Sequence, residues 1–319
     1  MLLNYIDGQA LSRDATCSQT FSGKESGQVL SPGYPQEYKS SEFCNYAIQL
    51  PSNSQVNLTF TEVDLEKWNT SLVDFIVLFD GVDCMSKRIA AVVNISTPTY
   101  ISSSNSMVAL FTSDINAQFG PFAAKFTAAP TKPVPPFPEN KILIQCGEDI
   151  KGNSGNLSYQ GEEGRNYLCI WKISVDSGKT IAFNLTDLYI SYPGNWLRLL
   201  DGSDCGAPVV HFVYGDSGNR LVLLNSTSNT MMVIYAALSG DPEDLFEASY
   251  CSVSAPSDTT SKDCPMVDDA AGFTKLIFTQ TFNLGWAVTF IHCNREEIST
   301  NFIDVISEMR GVPSVPLPS

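Results

Sequence analysis

The sequence predicts an all-β protein in which two β-sandwiches follow each other and a small, incomplete β-β-α segment comes last. Helical periodicity is nearly absent before residue 295. Short alternating runs such as Val56 to Phe60 and Thr180 to Leu185 recur between Gly, Pro, Asn and Ser turns. Strands that recur about every 8–12 residues are typical of a sandwich or barrel. The 319 residues leave room for two or three domains.

The composition indicates folded domains and narrows the class of partner. Hydrophobic residues make up 43% and charged residues 17% of the chain, which excludes wholesale disorder. The net charge of −15 opposes binding to nucleic acid or to an anionic membrane surface, because both need Lys and Arg. It favours calcium and basic partners. No run approaches the ~20 apolar residues that span a bilayer.

The chain divides into five segments. Residues 1–16 are a leader or the start of a fragment, since they lack a basic region and carry Asp7 in what would be an apolar core. The sandwiches are assigned to residues 17–129 and 142–251. The Pro-rich linker at 130–141 belongs to a stretch, Ala128 to Asn140, with five prolines, which should be extended and outside any sheet.

The two halves on either side of the linker repeat each other. Asp-Gly-Val-Asp-Cys ends at Cys84, and Asp-Gly-Ser-Asp-Cys ends at Cys205. Ser-Asn-Ser-Met-Val ends at Val108, and Ser-Asn-Thr-Met-Met ends at Met232. Such ordered landmarks predict two homologous β domains.

Residues 252–319 are predicted to be a partial third module with an extended tail. Thr274 to Phe282 and Trp286 to His292 are the expected strands. An apolar stripe with helical spacing follows from Ile298 to Met309. A segment of this size buries little core alone.

Cysteines and glycosylation sequons indicate the secretory route. Nine cysteines without a CxxC pair, beside two histidines, favour disulfides over zinc, and the odd number leaves one thiol free or paired between chains. Asn-X-Ser/Thr is the acceptor of N-linked glycans in secreted proteins. We therefore expect an extracellular glycoprotein whose signal peptide is missing from this chain. The sequons are at Asn57, Asn69, Asn94, Asn156, Asn184 and Asn225.

The motifs of the first half resemble those of the CUB domain family of extracellular β-sandwich modules. The family pattern Gly-x-(Ile/Val)-x-Ser-Pro-x-Tyr-Pro-x-x-Tyr is matched from Gly27 to Tyr38. The second half lacks the Ser-Pro-x-Tyr-Pro turn but keeps Cys169-Ile170-Trp171. The resemblance implies two tandem antiparallel sandwiches of the jelly-roll type. Other matches are Asp64-Leu65-Glu66, Asp74, Asp80-Gly81, Asn105-Ser106-Met107, Ser113-Asp114 and Gly120-Pro121-Phe122.

The resemblance also implies disulfides. The first two cysteines of each domain would form Cys17–Cys44 and Cys146–Cys169. The family's second bridge is missing, because Ser71 and Tyr192 stand where one of its cysteines would be. Cys205–Cys251 and Cys264–Cys293 are further candidate pairs, and Cys84 is left without an obvious mate.

A calcium site in the first domain is implied as well. Many CUB domains hold calcium with a Glu, an Asp eight residues later and a Ser-Asp in a distal loop, supported by a Tyr. Glu66, Asp74 and Asp114 match these positions, with Tyr38 in support and Asn116 completing the shell. Calcium takes about 6–8 oxygen ligands, which converging carboxylates can supply. The alternative is three surface acids in acidic loops.

The second domain does not repeat these acids and is expected to be free of metal. Asn195 stands at the position of Asp74, and Leu238 at that of Asp114. Tyr189 or Ser191 stands where Glu66 would align.

Catalysis is not expected. Gly215-Asp216-Ser217-Gly218 is the tetrapeptide around the nucleophile of trypsin-like proteases, but Asn219 follows where those enzymes have Gly. A catalytic serine also needs a histidine and a buried aspartate from distant segments, so a turn is the favoured interpretation.

These observations predict a secreted, calcium-dependent binding protein without enzymatic activity. Its partner would be an extracellular protein or a glycan that presents basic groups. Two alternatives stay open: a non-catalytic fragment of a larger extracellular protease, and a structural secreted protein that does not depend on calcium.

Overall fold

The structure, a computed structural model, describes residues 17–68, 71–93, 98–115, 120–134, 136–137, 143–192, 194–215 and 222–254, together with strands at 277–280 and 286–289. In these residues all helix- or strand-forming segments are β-strands, which confirms the predicted all-β class. No helix of the described part is long and apolar enough to cross a membrane.

Domain 1, the first sandwich, consists of a five-stranded sheet, β1-β3-β10-β7-β8, and a four-stranded sheet, β2-β11-β4-β9. A short pair, β5 and β6, lies beside them. The strands are β1 (Gln19–Ser22), β2 (Ser26–Leu30), β3 (Phe43–Gln49), β4 (Ser54–Val63), β5 (Lys67–Trp68), β6 (Ser71–Leu72), β7 (Phe75–Asp80), β8 (Lys87–Val92), β9 (Thr99–Ile101), β10 (Ser106–Thr112) and β11 (Phe122–Pro130).

Domain 2, the second sandwich, repeats this plan. One sheet has the order β12-β15-β20-β17-β18, with β13 also paired to β15, and the other has the order β14-β21-β16-β19. The strands are β12 (Ile144–Cys146), β13 (Asp149–Lys151), β14 (Ser154–Gln160), β15 (Tyr167–Ser174), β16 (Lys179–Tyr189), β17 (Trp196–Leu200), β18 (Val209–Tyr214), β19 (Val222–Asn225), β20 (Thr230–Ala237) and β21 (Leu245–Ser254).

The predicted antiparallel sandwiches are confirmed, and parallel pairing occurs at one edge of each domain. β1 runs parallel to β3, and β12 and β13 run parallel to β15. The chain crosses from the first strand to the other sheet before it returns, so the first strand and its neighbour point the same way. All other described strand pairs in the two domains are antiparallel.

The predicted linker begins later than its proline content suggests. β11 continues to Pro130, which lies opposite Ser54, so the expectation that the chain leaves the sheet at Ala128 is wrong. A proline at the end of a strand removes no ladder hydrogen bond that the sheet needs. The Gln55 side chain then holds the chain beyond the strand, because its amide donates to the Lys132 carbonyl at 2.8 Å and accepts from the Lys132 N–H at 2.9 Å.

Each sandwich has its own apolar core between its two sheets, and a third core lies between the domains. On β7, Ile76 and Leu78 belong to the core of domain 1, whereas Phe75, Val77 and Phe79 belong to the core between the domains. Successive side chains of a strand point to opposite faces, so a strand buried on both faces has no polar side. The two sheets of domain 1 and the two of domain 2 therefore form a stack of four layers.

The two middle layers are the sheets that contain β7 and β17, and we call them the inner sheets. Domain 2 contributes Ile170, Trp196, Leu200, Met232 and Ile234 to the core between them, all of which are at most 1% exposed. The four-stranded sheets form the outer layers. Burial of this kind makes the two sandwiches one compact unit, to which the strands described below do not belong.

The disulfides combine two expected pairs with one unexpected pair. Cys17–Cys44 and Cys146–Cys169 are formed. The expected Cys205–Cys251 pair is wrong, because Cys205 is joined to Cys84 across the interface and Cys251 takes part in another disulfide. Cys84 and Cys205 both follow an inner strand after the same Asp-Gly motif, and face-to-face packing of the inner sheets brings these two ends together.

The second compact unit contains two short antiparallel strands, β22 (Ile277–Gln280) and β23 (Trp286–Thr289). They lie within the two strands that were expected there. The expected helical stripe from Ile298, the Cys264–Cys293 pair and residues 1–16 lie outside the described residues.

Opening the disulfide between the domains should destabilise the chain more than opening one within a domain. Cys84→Ser with Cys205→Ser opens a loop of 121 residues. The chain-entropy relation gives about 5 kcal/mol for its contribution to the free energy of unfolding. Guanidinium titration of the purified chain measures the change.

The matched control is Cys146→Ser with Cys169→Ser, which opens a loop of 23 residues. A loop of that length should contribute about 3 kcal/mol. Peptide mapping of the non-reduced protein checks the pairing itself, and a Cys84 peptide linked to any cysteine other than Cys205 would contradict the structure.

Candidate metal centre

Three carboxylates converge at one end of the inner sheet of domain 1. Glu66 follows β4, Asp74 directly precedes β7, and Asp114 follows β10. β7 and β10 are antiparallel, with Phe75 opposite Thr112, so the start of one strand lies beside the end of the other. One carboxylate oxygen from each acid lies within 4.8 Å of the others.

Tyr38 supports this cluster from beneath. Its hydroxyl donates to Asp74 Oδ2 at 2.6 Å and accepts from the Glu66 N–H at 3.2 Å. The ring is fully buried and packs edge-on against Phe111. The Asp114 N–H donates to Asp74 Oδ1 at 2.8 Å. Asp74 is therefore fixed by two donors while its oxygens keep further lone pairs.

Burial and mutual repulsion make the ionised form of this cluster costly. Burial raises the pKa of Asp74 to about 7, with the nearby charges of Asp114 and Glu66 adding to the rise and the hydrogen bonds from Tyr38 and the Asp114 N–H opposing it. Burial, and then the charge of Asp114, also raise the pKa of Glu66. Glu66 Oε2 is buried without a hydrogen-bond partner. A buried oxygen of this kind costs free energy unless a proton donor or a cation satisfies it.

Asn116, the remaining expected ligand, lies outside the described residues. The same holds for Asp216, Ser217 and Gly218 of the protease-like tetrapeptide and for Asn219 after it. A second group of metal-ligating residue types, Cys17, Glu42 and Cys44, is no candidate. Its two sulfurs are joined in a disulfide, so they are not thiolates.

Domain 2 builds a different polar cluster at the corresponding place. Asn195 Oδ1 accepts from the Leu238 N–H at 2.6 Å, as Asp74 accepts from the Asp114 N–H. The Asn195 amide donates to Asp244 Oδ2 at 2.6 Å, and Ser239 Oγ donates to the same oxygen at 2.6 Å. The Ser191 N–H and Oγ both donate to Asp244 Oδ1 at 2.8 Å. The fully buried Asp244 thus has its negative charge surrounded by protein donors.

Asp244 is a residue that the sequence interpretation missed. The signal was present, because Asp244 stands two residues before Phe246 as Gly120 stands two residues before Phe122 in the first repeat. Of the two positions considered for a counterpart of Glu66, Ser191 lies in this cluster and Tyr189 is 48% exposed.

Domain 2 also contains a cavity of about 380 Å³ beside the Cys146–Cys169 disulfide. Its wall includes Tyr159 and Glu162, which occupy the segment that replaces the missing Ser-Pro-x-Tyr-Pro turn. Tyr167, Trp171 and Glu148 complete the acidic and aromatic part of the lining. The chemistry of this cavity is thus distinct from that of the three converging carboxylates in domain 1.

The described sequons lie on the outer sheets. Asn57 is on β4, Asn156 on β14, Asn184 on β16 and Asn225 on β19, and none of these four strands belongs to an inner sheet. Asn69 and Asn94 lie outside the described residues. A glycan at any of the four positions would leave the interface between the domains undisturbed.

Comparison with known proteins gives a family match in both sandwiches. The model of the CUB domain matches residues 17–126 and 146–250. Cubilin of Rattus norvegicus is 28% identical over 243 residues, which cover 73% of this chain and 6% of cubilin. The bone morphogenetic protein 1 homolog of Strongylocentrotus purpuratus is 32% identical over 123 residues, which cover 38% of this chain and 19% of that protein. The chain thus spans a small part of these relatives.

Solved structures with the same kind of domain also align. The CUB1-EGF-CUB2 region of rat MASP-1 aligns at a TM-score of 0.31 and 14% identity, covering 73% of this chain and 99% of that chain. The MASP-1 CUB2 domain bound to Ca²⁺ aligns at a TM-score of 0.32 and 26% identity, covering 35% of this chain and 100% of that chain.

The raised pKa of Asp74 predicts a pH dependence of stability in the presence of a chelator. The folded-state value of about 7 exceeds the ordinary value of 3.8, so the folded protein holds this proton more tightly than the unfolded chain. The contribution is fully present below pH ~4 and is lost as the pH rises towards ~7, by about 4 kcal/mol at most. Urea unfolding at several pH values measures it.

Asp74→Asn should remove this part of the pH dependence, because asparagine does not titrate. Carboxylates outside this cluster are common to both proteins and cancel in the difference between them. Identical pH profiles for the wild type and Asp74→Asn in chelator would show that Asp74 is ionised normally.

Proposed function

The chain belongs to the CUB domain family, and on that basis we propose that it acts outside the cell as a calcium-dependent binding protein. The observation that carries the proposal is the convergence of Glu66, Asp74 and Asp114, with Glu66 Oε2 left unpaired. Hard oxygen ligands from separate segments are the donor set that calcium prefers.

The residues of domain 1 fit such an ion. Glu66, Asp74 and Asp114 would hold it, and Tyr38 would orient Asp74 through its hydrogen bond. Bound calcium supplies positive charge that relieves the repulsion among three buried or half-buried carboxylates. The same relief keeps Asp74 ionised at neutral pH, since a nearby cation favours the charged form.

We assign the site to domain 1 alone. In domain 2, Asn195 carries no charge and Leu238 supplies no side-chain oxygen. Among the described residues of domain 2, the buried carboxylate is Asp244, and it is already surrounded by donors from Ser191, Asn195 and Ser239. A metal ion would have to displace these hydrogen bonds.

The partner in this proposal is an extracellular protein or glycan that presents basic groups. The net charge of −15 attracts such partners over long range. Binding, and not catalysis, is the activity that we propose. The disulfides support an extracellular location, where such bonds persist. The outward placement of the described sequons supports glycosylation, which stays a prediction.

Calorimetric titration of the full chain with calcium tests the metal site. We expect one ion per chain, and we expect Asp74→Asn to bind at least tenfold more weakly, because a charged ligand becomes neutral without a change of shape. The matched control is Asp149→Asn, an exposed aspartate on β13 whose loss should leave calcium binding unchanged.

Two results would contradict the proposal. A wild-type chain that gives no heat with calcium would favour the calcium-independent structural alternative. Two ions per chain would contradict a single calcium site in domain 1.

Calcium should also stabilise the wild type more than it stabilises Asp74→Asn. A ligand that binds only the folded state raises stability by RT ln(1 + [L]/Kd), about 2.7 kcal/mol at a hundredfold excess over Kd. Thermal unfolding in calcium and in chelator measures this. Equal calcium-induced shifts of Tm in the two proteins would mean that Asp74 does not hold the ion.

A further inference from the structure

A buried arginine of domain 2 reaches into the region of the acidic cluster. Arg198 lies in the middle of β17 and is 1% exposed. Its Nη1 donates to Thr112 Oγ1 of domain 1 at 2.6 Å. Its Nη2 donates to the backbone carbonyls of Glu42 and Ser113, both at 3.4 Å. The guanidinium therefore joins two segments of domain 1 from the opposite side of the interface.

Aromatic rings surround the rest of this guanidinium. Its central carbon lies 4.3 Å from the ring centroid of Trp196, 4.3 Å from that of Phe212 and 4.8 Å from that of Phe43. Burial lowers the pKa of Arg198 to about 9, while the charges of Asp74 and then Glu42 oppose the shift. Arg198 consequently keeps its positive charge at neutral pH.

Packing alone does not require an arginine at this position. The neighbours of Arg198 on the same face of β17, Trp196 and Leu200, are apolar members of the core between the domains. The corresponding residue of domain 1, three positions after Asp74 as Arg198 is three positions after Asn195, is Val77. A buried charge is costly, and replacing one by an apolar side chain is often neutral or stabilising.

The segment that Arg198 holds is the one that carries the third carboxylate. Thr112 ends β10, and Ser113 and Asp114 follow it outside the sheet. Ser113 Oγ donates to the Lys39 carbonyl at 2.8 Å and accepts from the Glu42 N–H at 2.8 Å. Thr112 is also paired with Phe43 and Phe75 in the inner sheet. Beyond the sheet, the Ser113 N–H donates to the Glu42 carbonyl at 3.1 Å, and the Asp114 N–H donates to Asp74 Oδ1 at 2.8 Å. The three bonds from Arg198 add the hold of domain 2 to these bonds within domain 1.

We propose that Arg198 of domain 2 is a positioning residue for the calcium site of domain 1, so that both domains build the site. Arg198 touches none of the three carboxylates through the bonds described, and acts through Thr112, Ser113 and Glu42. The inference rests on the proposed function, because it concerns how well the chain binds calcium. It adds that domain 1 does not have this site at full affinity without domain 2.

Position and charge act in opposite directions here. A guanidinium close to the site repels a calcium ion, so removal of the charge alone would strengthen binding. Loss of a residue that orients metal ligands typically weakens binding by about 10–100-fold. A test of positioning therefore has to keep the positive charge.

Two variants keep the charge and loosen the hold on Thr112–Asp114. Arg198→Lys replaces a fork of five donors by a compact ammonium, and should weaken calcium binding about tenfold. Thr112→Val removes the acceptor of the shortest of the three hydrogen bonds from Arg198 with little change of side-chain volume. It should weaken calcium binding about threefold, as expected for the loss of one hydrogen bond. Calorimetric titration of the full chain with calcium chloride gives both dissociation constants.

The control is Leu200→Ala, on the same face of β17 but without a hydrogen bond to domain 1. It should lower the Tm in chelator, because it opens a cavity in the core between the domains, and leave the dissociation constant within twofold of the wild type. This separates positioning from a general weakening of the interface.

The result that would overturn the inference is calcium binding by Arg198→Lys and Thr112→Val within twofold of the wild type, or tighter. Should Arg198→Lys fail to fold, Thr112→Val alone decides between the same two outcomes. A failure of the proposed function looks different, since the wild type itself would then give no heat with calcium.

Discussion

The burial of both faces of the inner sheets is the constraint on which the rest of this structure depends. An isolated sandwich can leave one face of each sheet in water, but β7, β10, β17 and β20 have apolar side chains on both faces. Such strands are stable only if a second layer covers them. The second layer is the other domain, which places the outer sheets and their described sequons at the two ends of the stack. It also places Arg198 beside the loop of Asp114.

The two domains have different polar side chains at equivalent positions at the end of the inner sheet. In both, the residue before one inner strand, Asp74 before β7 and Asn195 before β17, accepts a hydrogen bond from an N–H just after the neighbouring strand, β10 or β20. Domain 1 has Asp74 there and places two more carboxylates beside it. The hydrogen-bond donors around the three carboxylates are too few to balance their negative charge. Domain 2 has Asn195 and surrounds its own buried acid, Asp244, with amide and hydroxyl donors. One arrangement therefore suits a metal ion, and the other is complete without one.

The sequence predicted the strands and the acidic cluster well because both depend on local pattern and on ordered motifs. Alternating runs identified β4 and β16, and the positions of Glu66, Asp74, Asp114 and Tyr38 came from the family motif. The sequence interpretation did not yield the contact between the domains. The uninterrupted apolar run from Phe75 to Phe79 was a signal for burial on both faces, but it does not say what covers the second face.

The partner of Cys205 could not be read for the same reason. A disulfide needs its two Cα atoms within about 7 Å, and that distance depends on how two folded domains dock. The matched positions of Cys84 and Cys205 in their repeats were the available hint. Arg198 was hidden in an apolar run, where a single basic residue has no period and no motif. Its role follows only from the three oxygens that its side chain reaches.

The bond between Cys84 and Cys205 also decides how the chain would respond to a mechanical load. Tension applied to the two ends of the domain pair passes from residue 84 directly to residue 205, so the 120 residues between them carry none of it. Those residues include the whole Pro-rich segment that joins the two sandwiches. At about 3.3–3.6 Å per extended residue, the bond withholds roughly 400 Å of contour length. Under load the pair of domains therefore extends little, because the disulfide keeps the chain between them out of the load path.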